Sequence, residues 1–250
     1  MPGSVNALQS PDGAGRMKFA IAVVACLLAA TRPPDPTGSP LSQPDSAPRS
    51  LVILGASYAQ GWGAPALPGF GRVINRGVGG ERTGDMQKRF ATDVVAARPD
   101  AVLIWGLVNN ITRARADAIE SAKLAARDDF RAMIEAARAA GIEVIIATEV
   151  PWTQPGGLLN VVYGWYAALI GKTSYAVQVS RHVAEVNDDL RQLCRQPHCR
   201  LLDFERVFAA ADGTRRRAFA AADASHISAA GYQALTEYAA RELRAVKPPG

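Results

Sequence analysis

A three-layer α/β/α sandwich around a mainly parallel five-stranded sheet is the fold predicted by three features of this sequence. Five short apolar runs alternate with longer stretches whose apolar positions recur three and four apart. The first run, Leu51-Val52-Ile53-Leu54, is apolar throughout, as a strand covered on both faces is. The alternation extends from residue 51 almost to the C-terminus without an internal repeat. At 250 residues, 48% of them hydrophobic and 20% charged, the chain is long enough for one such domain, or at most two small ones, and too apolar to belong to the disordered class.

The N-terminal part is a different kind of segment. Arg16-Met17-Lys18 precedes an apolar run from Phe19 to Ala30, which Thr31-Arg32-Pro33-Pro34 interrupts. A basic start, a short apolar stretch and small residues at its end describe a secretory signal peptide over 1–30, with Met17 as an alternative start. The run falls short of the ~20 apolar residues that span a bilayer. Val23-Val24-Ala25-Cys26 also resembles a lipobox, and a lipidated Cys26 would tether the chain to a membrane. Leu27-Leu28 carries the apolar run past that cysteine, which favours cleavage near Ala30. Residues 31–50, rich in Pro, Ser and Thr, read as a disordered spacer, with the domain proper over 51–247.

The elements then follow in order. Leu51-Val52-Ile53-Leu54 is a buried-strand run ending in Gly55, and Arg72-Val73-Ile74-Asn75 a second, shorter strand. Ala101 to Trp105 is a third, Glu143 to Ala147 a fourth and Arg200 to Phe204 a fifth. Helical periodicity covers roughly 84–97, 115–140, 178–194 and 228–246, with Ser228 as N-cap of the last. The stretch 150–177 is too long for a simple loop and holds Trp152, Tyr163, Trp165 and Tyr175. These are expected mostly in core packing, with a wall or lid over a substrate as the alternative.

Charge and cysteines exclude some functions. The net charge of +5 is spread over helical stretches among acids, and the one dense run, Arg215-Arg216-Arg217, reads as a solvated face. The aromatic interleaving that stacks bases is missing, so nucleic acid is not an expected partner. In an oxidising compartment Cys194 and Cys199 are expected to pair, two free thiols being the alternative. A metal site would want more ligands than this pair and His198 offer, and no metal or cofactor is expected.

In parallel sheets ligands bind beyond the carboxyl ends of the strands, and the chemistry-bearing residues of this chain fall there. Ser57 follows the first strand in Gly55-Ala56-Ser57, at a helix N-terminus where negative charge is favoured; a plain helix cap is the competing use. Asn75-Arg76-Gly77-Val78-Gly79-Gly80 follows the second strand and can aim backbone N–H groups into a pocket. Without a Gly-x-Gly-x-x-Gly opening the first strand–helix unit, it is not a dinucleotide loop. Gly106-Leu107-Val108-Asn109-Asn110 follows the third strand, where a side-chain amide can donate to an oxyanion. Finally Asp223 and His226 stand three apart on one loop, a spacing at which the acid fixes the imidazole tautomer that a general base needs. His182 and His198 lack such a setting and read as surface residues.

These four blocks, in this order over about 51–245, resemble the SGNH hydrolase superfamily, including the GDSL esterases and lipases. Leu54-Gly55-Ala56-Ser57 stands for that family's Gly-Asp-Ser loop, with Ala56 where Asp is usual. The glycine block places Gly80 at the oxyanion glycine. The third block is an altered Gly-x-Asn-Asp, with Asn109 as the oxyanion amide and Asn110, where Asp is common, as the fallback. Asp223-Ala224-Ser225-His226, followed by Ile227-Ser228-Ala229-Ala230-Gly231-Tyr232, is the closest match.

The resemblance implies a flavodoxin-like fold and an exported serine esterase with Ser57, His226 and Asp223 as its triad. Its oxyanion hole would comprise Ser57, Gly80 and Asn109, its substrate an acyl ester (acetyl among them) of an envelope or extracellular carbohydrate or lipid. An acyltransferase and a catalytically silent glycan-binding module on the same fold are the alternatives, and a flavodoxin-like cofactor binder a weaker one. Ser57 lacks the Gly-x-Ser-x-Gly frame of the α/β-hydrolase elbow.

Overall fold

The computed structural model describes residues 48–154, 173–197 and 199–245. The segments expected to be a signal peptide and a spacer, up to residue 47, and Tyr163, Trp165 and His198 lie outside the described residues. Five strands form one sheet: β1 (Arg49–Gly55), β2 (Phe70–Gly77), β3 (Ala101–Trp105), β4 (Glu143–Ala147) and β5 (Cys199–Leu202). Their order is β2-β1-β3-β4-β5 and every pairing is parallel. This is a doubly wound order with its reversal between β1 and β3, the place where such sheets open a crevice for ligands.

The central strands explain why the chain folds this way. Leu51 to Leu54 and all of β3 have no exposed surface, so both faces of the sheet are covered and every strand can be apolar throughout. Two groups of helices supply the cover. In one, α2 (Thr83–Lys88), α3 (Val108–Thr112), α4 (Ile119–Ala139) and α5 (Tyr175–Leu193) pack together. In the other, α1 (Ser57–Trp62) meets α7 (Ala229–Ala245) through Trp62 Nε1 donating to Thr236 at 2.9 Å and Tyr232 Oη donating to the Tyr58 carbonyl at 3.1 Å. The short α6 (Phe204–Phe208) packs against α7.

Several boundaries differ from those expected. β1 starts at Arg49, so Arg49 and Ser50 belong to the sheet and not to the 31–50 spacer. Polar contacts hold them: Arg49 pairs with Glu143, and the Ser50 N–H donates to Asp100 at 2.6 Å. The second strand is the longest of the five, because backbone pairing with β1 extends it past its apolar centre to Phe70 and Gly77. The helix expected over 84–97 is broken into α2 and a π-helical turn at Ala91–Val95. Arg89 at the break donates to the Glu81 carboxylate at 2.6 Å and to the Gly55 carbonyl at 3.2 Å, which ties its direction to the neighbouring loop. α5 begins at Tyr175 behind the cap Ser174, ahead of residue 178.

Cys194 and Cys199 form a disulfide between the end of α5 and the start of β5. No helix among the described residues is long and apolar enough to cross a membrane. Ser228 caps α7 by accepting from the Gly231 N–H at 3.1 Å.

Candidate active site

β1 and β3 run side by side, so the chain leaves both at the same edge of the sheet. The approach is close: a Cβ on Gly55 would lie 2.1 Å from the Trp105 carbonyl oxygen. Ser57 opens α1 immediately beyond β1, but the cap position falls on Ala56 and no side chain caps this helix. The competing use of Ser57 as an N-cap is therefore not realised. Among the described residues its hydroxyl has no hydrogen-bond partner, and neither its backbone N–H nor that of Gly80 has an acceptor.

Gly80 sits at φ +81°, a left-handed conformation that costs a residue with a side chain roughly 1 kcal/mol or more. The glycine turn is braced from behind. The Val78 N–H donates to the Gly55 carbonyl at 3.0 Å, and the Glu81 carboxylate is gripped by Arg89.

The two asparagines after β3 have different surroundings. Asn110 is buried and locked to Thr83: its Oδ1 accepts from the Thr83 N–H at 3.0 Å and its Nδ2 donates to the Thr83 hydroxyl at 2.8 Å. Asn109 lines the cavity that holds Ser57. Its Nδ2 donates to the Glu81 carbonyl at 2.8 Å, which engages one of two N–H groups and leaves the other for a ligand.

The late loop delivers the imidazole. Asp223 Oδ2 lies 2.5 Å from His226 Nδ1, while Oδ1 accepts from the backbone N–H groups of Ser225 at 3.0 Å and His226 at 2.9 Å. These contacts, His226 first, hold the Asp223 carboxyl well below the usual carboxylate range, so it stays ionised. An ionised carboxylate can only accept, so the ring presents Nδ1–H to it, which directs Nε2 away from Asp223. The turn that brings acid and base together places Ala224 at φ +58°. Both side chains are about half exposed.

Ser57, Gly80, Asn109 and His226 line one cavity of about 470 Å³, with Asp223 behind the imidazole. The structure thus brings the expected residues together, although no hydrogen bond among the described residues joins Ser57 to His226. Trp152 lines the same cavity and also packs against the core.

Two residues that hold this arrangement were not legible as site residues. Arg215, expected on a solvated face, is 2% exposed, whereas Arg216 and Arg217 are exposed. Its guanidinium donates to the carbonyls of Pro151 at 2.9 Å, Ser225 at 3.2 Å and His226 at 2.9 Å, and to the Tyr58 hydroxyl at 2.6 Å. Tyr58 in turn donates to the Ser225 carbonyl at 2.8 Å. The residue beside the hydroxyl and the loop bearing the imidazole are therefore clamped to one buried cation. Burial pushes the Tyr58 phenol up to about 12, so it remains a donor.

The second is Glu149, fully buried two residues beyond β4. Its carboxylate accepts from the N–H groups of Leu107 at 2.7 Å, Val108 at 3.1 Å and Val150 at 3.0 Å, which fixes the segment that carries Asn109. Burial pushes its carboxyl up against those bonds. An acid two residues beyond the apolar run Val144–Ala147, at the sheet edge where the site lies, is the one signal that would have singled it out.

Comparison with known proteins bears on the family and the fold. The model of the GDSL-like Lipase/Acylhydrolase family matches residues 53–234. Among solved structures, a GDSL-like lipase from Bacteroides thetaiotaomicron is 16% identical with a TM-score of 0.60, over 82% of this chain and 92% of that one. The lipase/acylhydrolase from Enterococcus faecalis is 20% identical with a TM-score of 0.54, over 81% and 99%. Axe2, an acetylxylan esterase from Geobacillus stearothermophilus, is 19% identical with a TM-score of 0.56, over 78% and 94%. No protein of curated function matches the chain in sequence.

Proposed function

The chain belongs to the GDSL-like lipase/acylhydrolase family, and on that premise we propose that it hydrolyses acyl esters through Ser57, His226 and Asp223. The observation that carries this reading is the shared cavity: a hydroxyl from the start of the domain and an imidazole from near its end open onto one space.

In this mechanism Ser57 Oγ attacks the ester carbonyl while His226 Nε2 takes its proton, and Asp223 stabilises the imidazolium. The charge that develops on the carbonyl oxygen is met by the N–H groups of Ser57 and Gly80 and by the free N–H of Asn109. These donors are already held in place and need no reorganisation as the reaction proceeds. The tetrahedral intermediate collapses as His226 returns the proton to the leaving alcohol. Water, deprotonated by the same imidazole, then releases the acid from Ser57. Asn109, not Asn110, is the amide donor in this scheme, because Asn109 lines the cavity of Ser57 whereas Asn110 is buried against Thr83 and does not line it.

The substrate we infer is an acetyl or other short acyl ester of an envelope or extracellular carbohydrate. The reading is supported by the open, mixed polar cavity with Trp152 on its wall and by the acetylxylan esterase among the structural neighbours. The Cys194–Cys199 disulfide suits an exported protein.

The test compares wild type and Ser57→Ala on 4-nitrophenyl esters from acetyl to decanoyl. Loss of hydrolysis in a folded variant, with a wild-type preference for the shortest chains, is the expected result. Retention of most activity by Ser57→Ala would remove the nucleophile.

A further inference from the structure

Arg113, one residue beyond α3, occupies a position that ester hydrolysis alone does not explain. A Cβ built on Gly80 would stand 2.9 Å from Arg113 Nη2, so the guanidinium lies against the glycine assigned above to the oxyanion. Its backbone carbonyl is held by Arg82 Nη2 at 3.2 Å. Arg113 lines both the cavity of Ser57 and His226 and a second cavity of about 830 Å³, whose walls carry charges of both signs: Arg82, Lys88 and Arg115 with Asp85 and Asp129.

An unpaired arginine on a surface is ordinary, but the surroundings of this one are not. The nearby cations are mostly matched: Lys88 with Asp85 at 3.0 Å, Arg89 with Glu81 and Asp93, Arg115 with Asp117 at 3.3 Å. Among the described residues no carboxylate pairs with Arg113 or Arg82, and no carboxylate lines the Ser57 cavity. A permanent positive charge thus stands uncompensated at the rim of the site, with five N–H donors suited to planar or tetrahedral oxyanions.

We propose that Arg113 is a specificity-determining residue that receives an anionic group, a carboxylate or a phosphate, on the molecule that carries the ester. The inference rests on the hydrolase reading and narrows its substrate to anionic carbohydrates.

The experiment uses the full chain and three substrates that differ in charge: O-acetylated glucose, O-acetylated glucuronate and O-acetylated glucose 6-phosphate. Wild type should prefer the charged esters through a lower KM, and added salt should erode that preference. Arg113→Gln should lower kcat/KM for the charged esters on the order of fivefold more than for the neutral one, the size expected of a solvent-open ion pair. The larger loss between glucuronate and phosphate identifies the anion.

Equal losses on all three, seen in kcat, would overturn the proposal in favour of a role at the oxyanion, and no loss on any would overturn it outright. If no ester is hydrolysed and a fluorophosphonate leaves Ser57 unmodified, the hydrolase reading itself has failed. Calorimetry with trigalacturonate then decides the anion site separately: weaker binding to Arg113→Gln than to wild type upholds it, and equal binding rejects it.

Discussion

Replacing Arg215 with Met should both destabilise the domain and disable the site. Met approximates the side-chain length but donates nothing. It would break four hydrogen bonds, each within 3.2 Å, that a 2% exposed guanidinium donates to the carbonyls of Pro151, Ser225 and His226 and to the Tyr58 hydroxyl. Among the described residues the Pro151 carbonyl would be left without a donor, while the Ser225 carbonyl keeps Tyr58 and the His226 carbonyl keeps the Ala221 N–H. It would also remove the cation lying 5.0 Å over the Tyr58 ring and a positive charge that favours the ionised form of buried Glu149. Net hydrogen bonds to a charged group are each worth about 1.5–3 kcal/mol and do not add fully. Breaking one side of a buried charged network costs about 3–5 kcal/mol. For a domain of this size that is a fall of roughly 6–20 °C in Tm.

Because one of the lost bonds holds the backbone of His226 itself, kcat/KM should fall on the order of 100-fold even where the variant is folded, as displacement of a catalytic group by about 1 Å does. Urea denaturation and ester hydrolysis below the melting range measure the two effects. The exposed neighbour is the control, and Arg217→Met should stay within about 0.5 kcal/mol. A loss below about 1 kcal/mol for Arg215→Met, with unchanged kcat/KM, would refute the clamp.

The paired asparagines should separate function from stability. Asn109→Ala is expected to lower kcat on the order of 10²–10³-fold, as loss of one oxyanion donor does, with little change in Tm. Asn110→Ala should instead cost about 1–3 kcal/mol in a urea melt by leaving the buried Thr83 N–H unpaired. Alkaline pH tests Tyr58. Its folded value of about 12 lies above the ordinary 10, so the unfolded chain loses that proton first, and stability present below pH 10 is lost as pH rises towards 12. Between pH 9 and 11 this amounts to about 1.3 kcal/mol. Tyr58→Phe, whatever its starting stability, should show a correspondingly shallower decline in urea melts over that range. An equally steep decline would contradict the assignment.

What the sequence disclosed, and what it hid, divides along a physical line. The strand cores were readable because Leu51–Leu54 and Ala101–Trp105 are apolar at every position, which only a sheet covered on both sides demands. The site blocks were readable because each falls just beyond such a run, and because Asp223 and His226 are close enough in sequence to meet within one turn. The structure also separates Asn109 from Asn110, which sequence could only rank, since their difference lies in a partner, Thr83, some 27 residues away.

Arg215 was hidden for the same reason. In a run of three arginines nothing local distinguishes the one that turns inward, and its acceptors come from residues 58, 151, 225 and 226. The polar ends of β1 and β2 were missed because backbone pairing and the ion pair of Arg49 with Glu143, not apolar burial, hold them in the sheet.

The account stands on Ser57 being the activated nucleophile beside His226. Incubation with a fluorophosphonate, followed by peptide mass mapping, tests this directly. One adduct per chain on the Ser57 peptide is predicted, with labelling markedly slower in His226→Ala. An adduct on a different serine, or an unlabelled Ser57 in the folded wild-type protein, would contradict it.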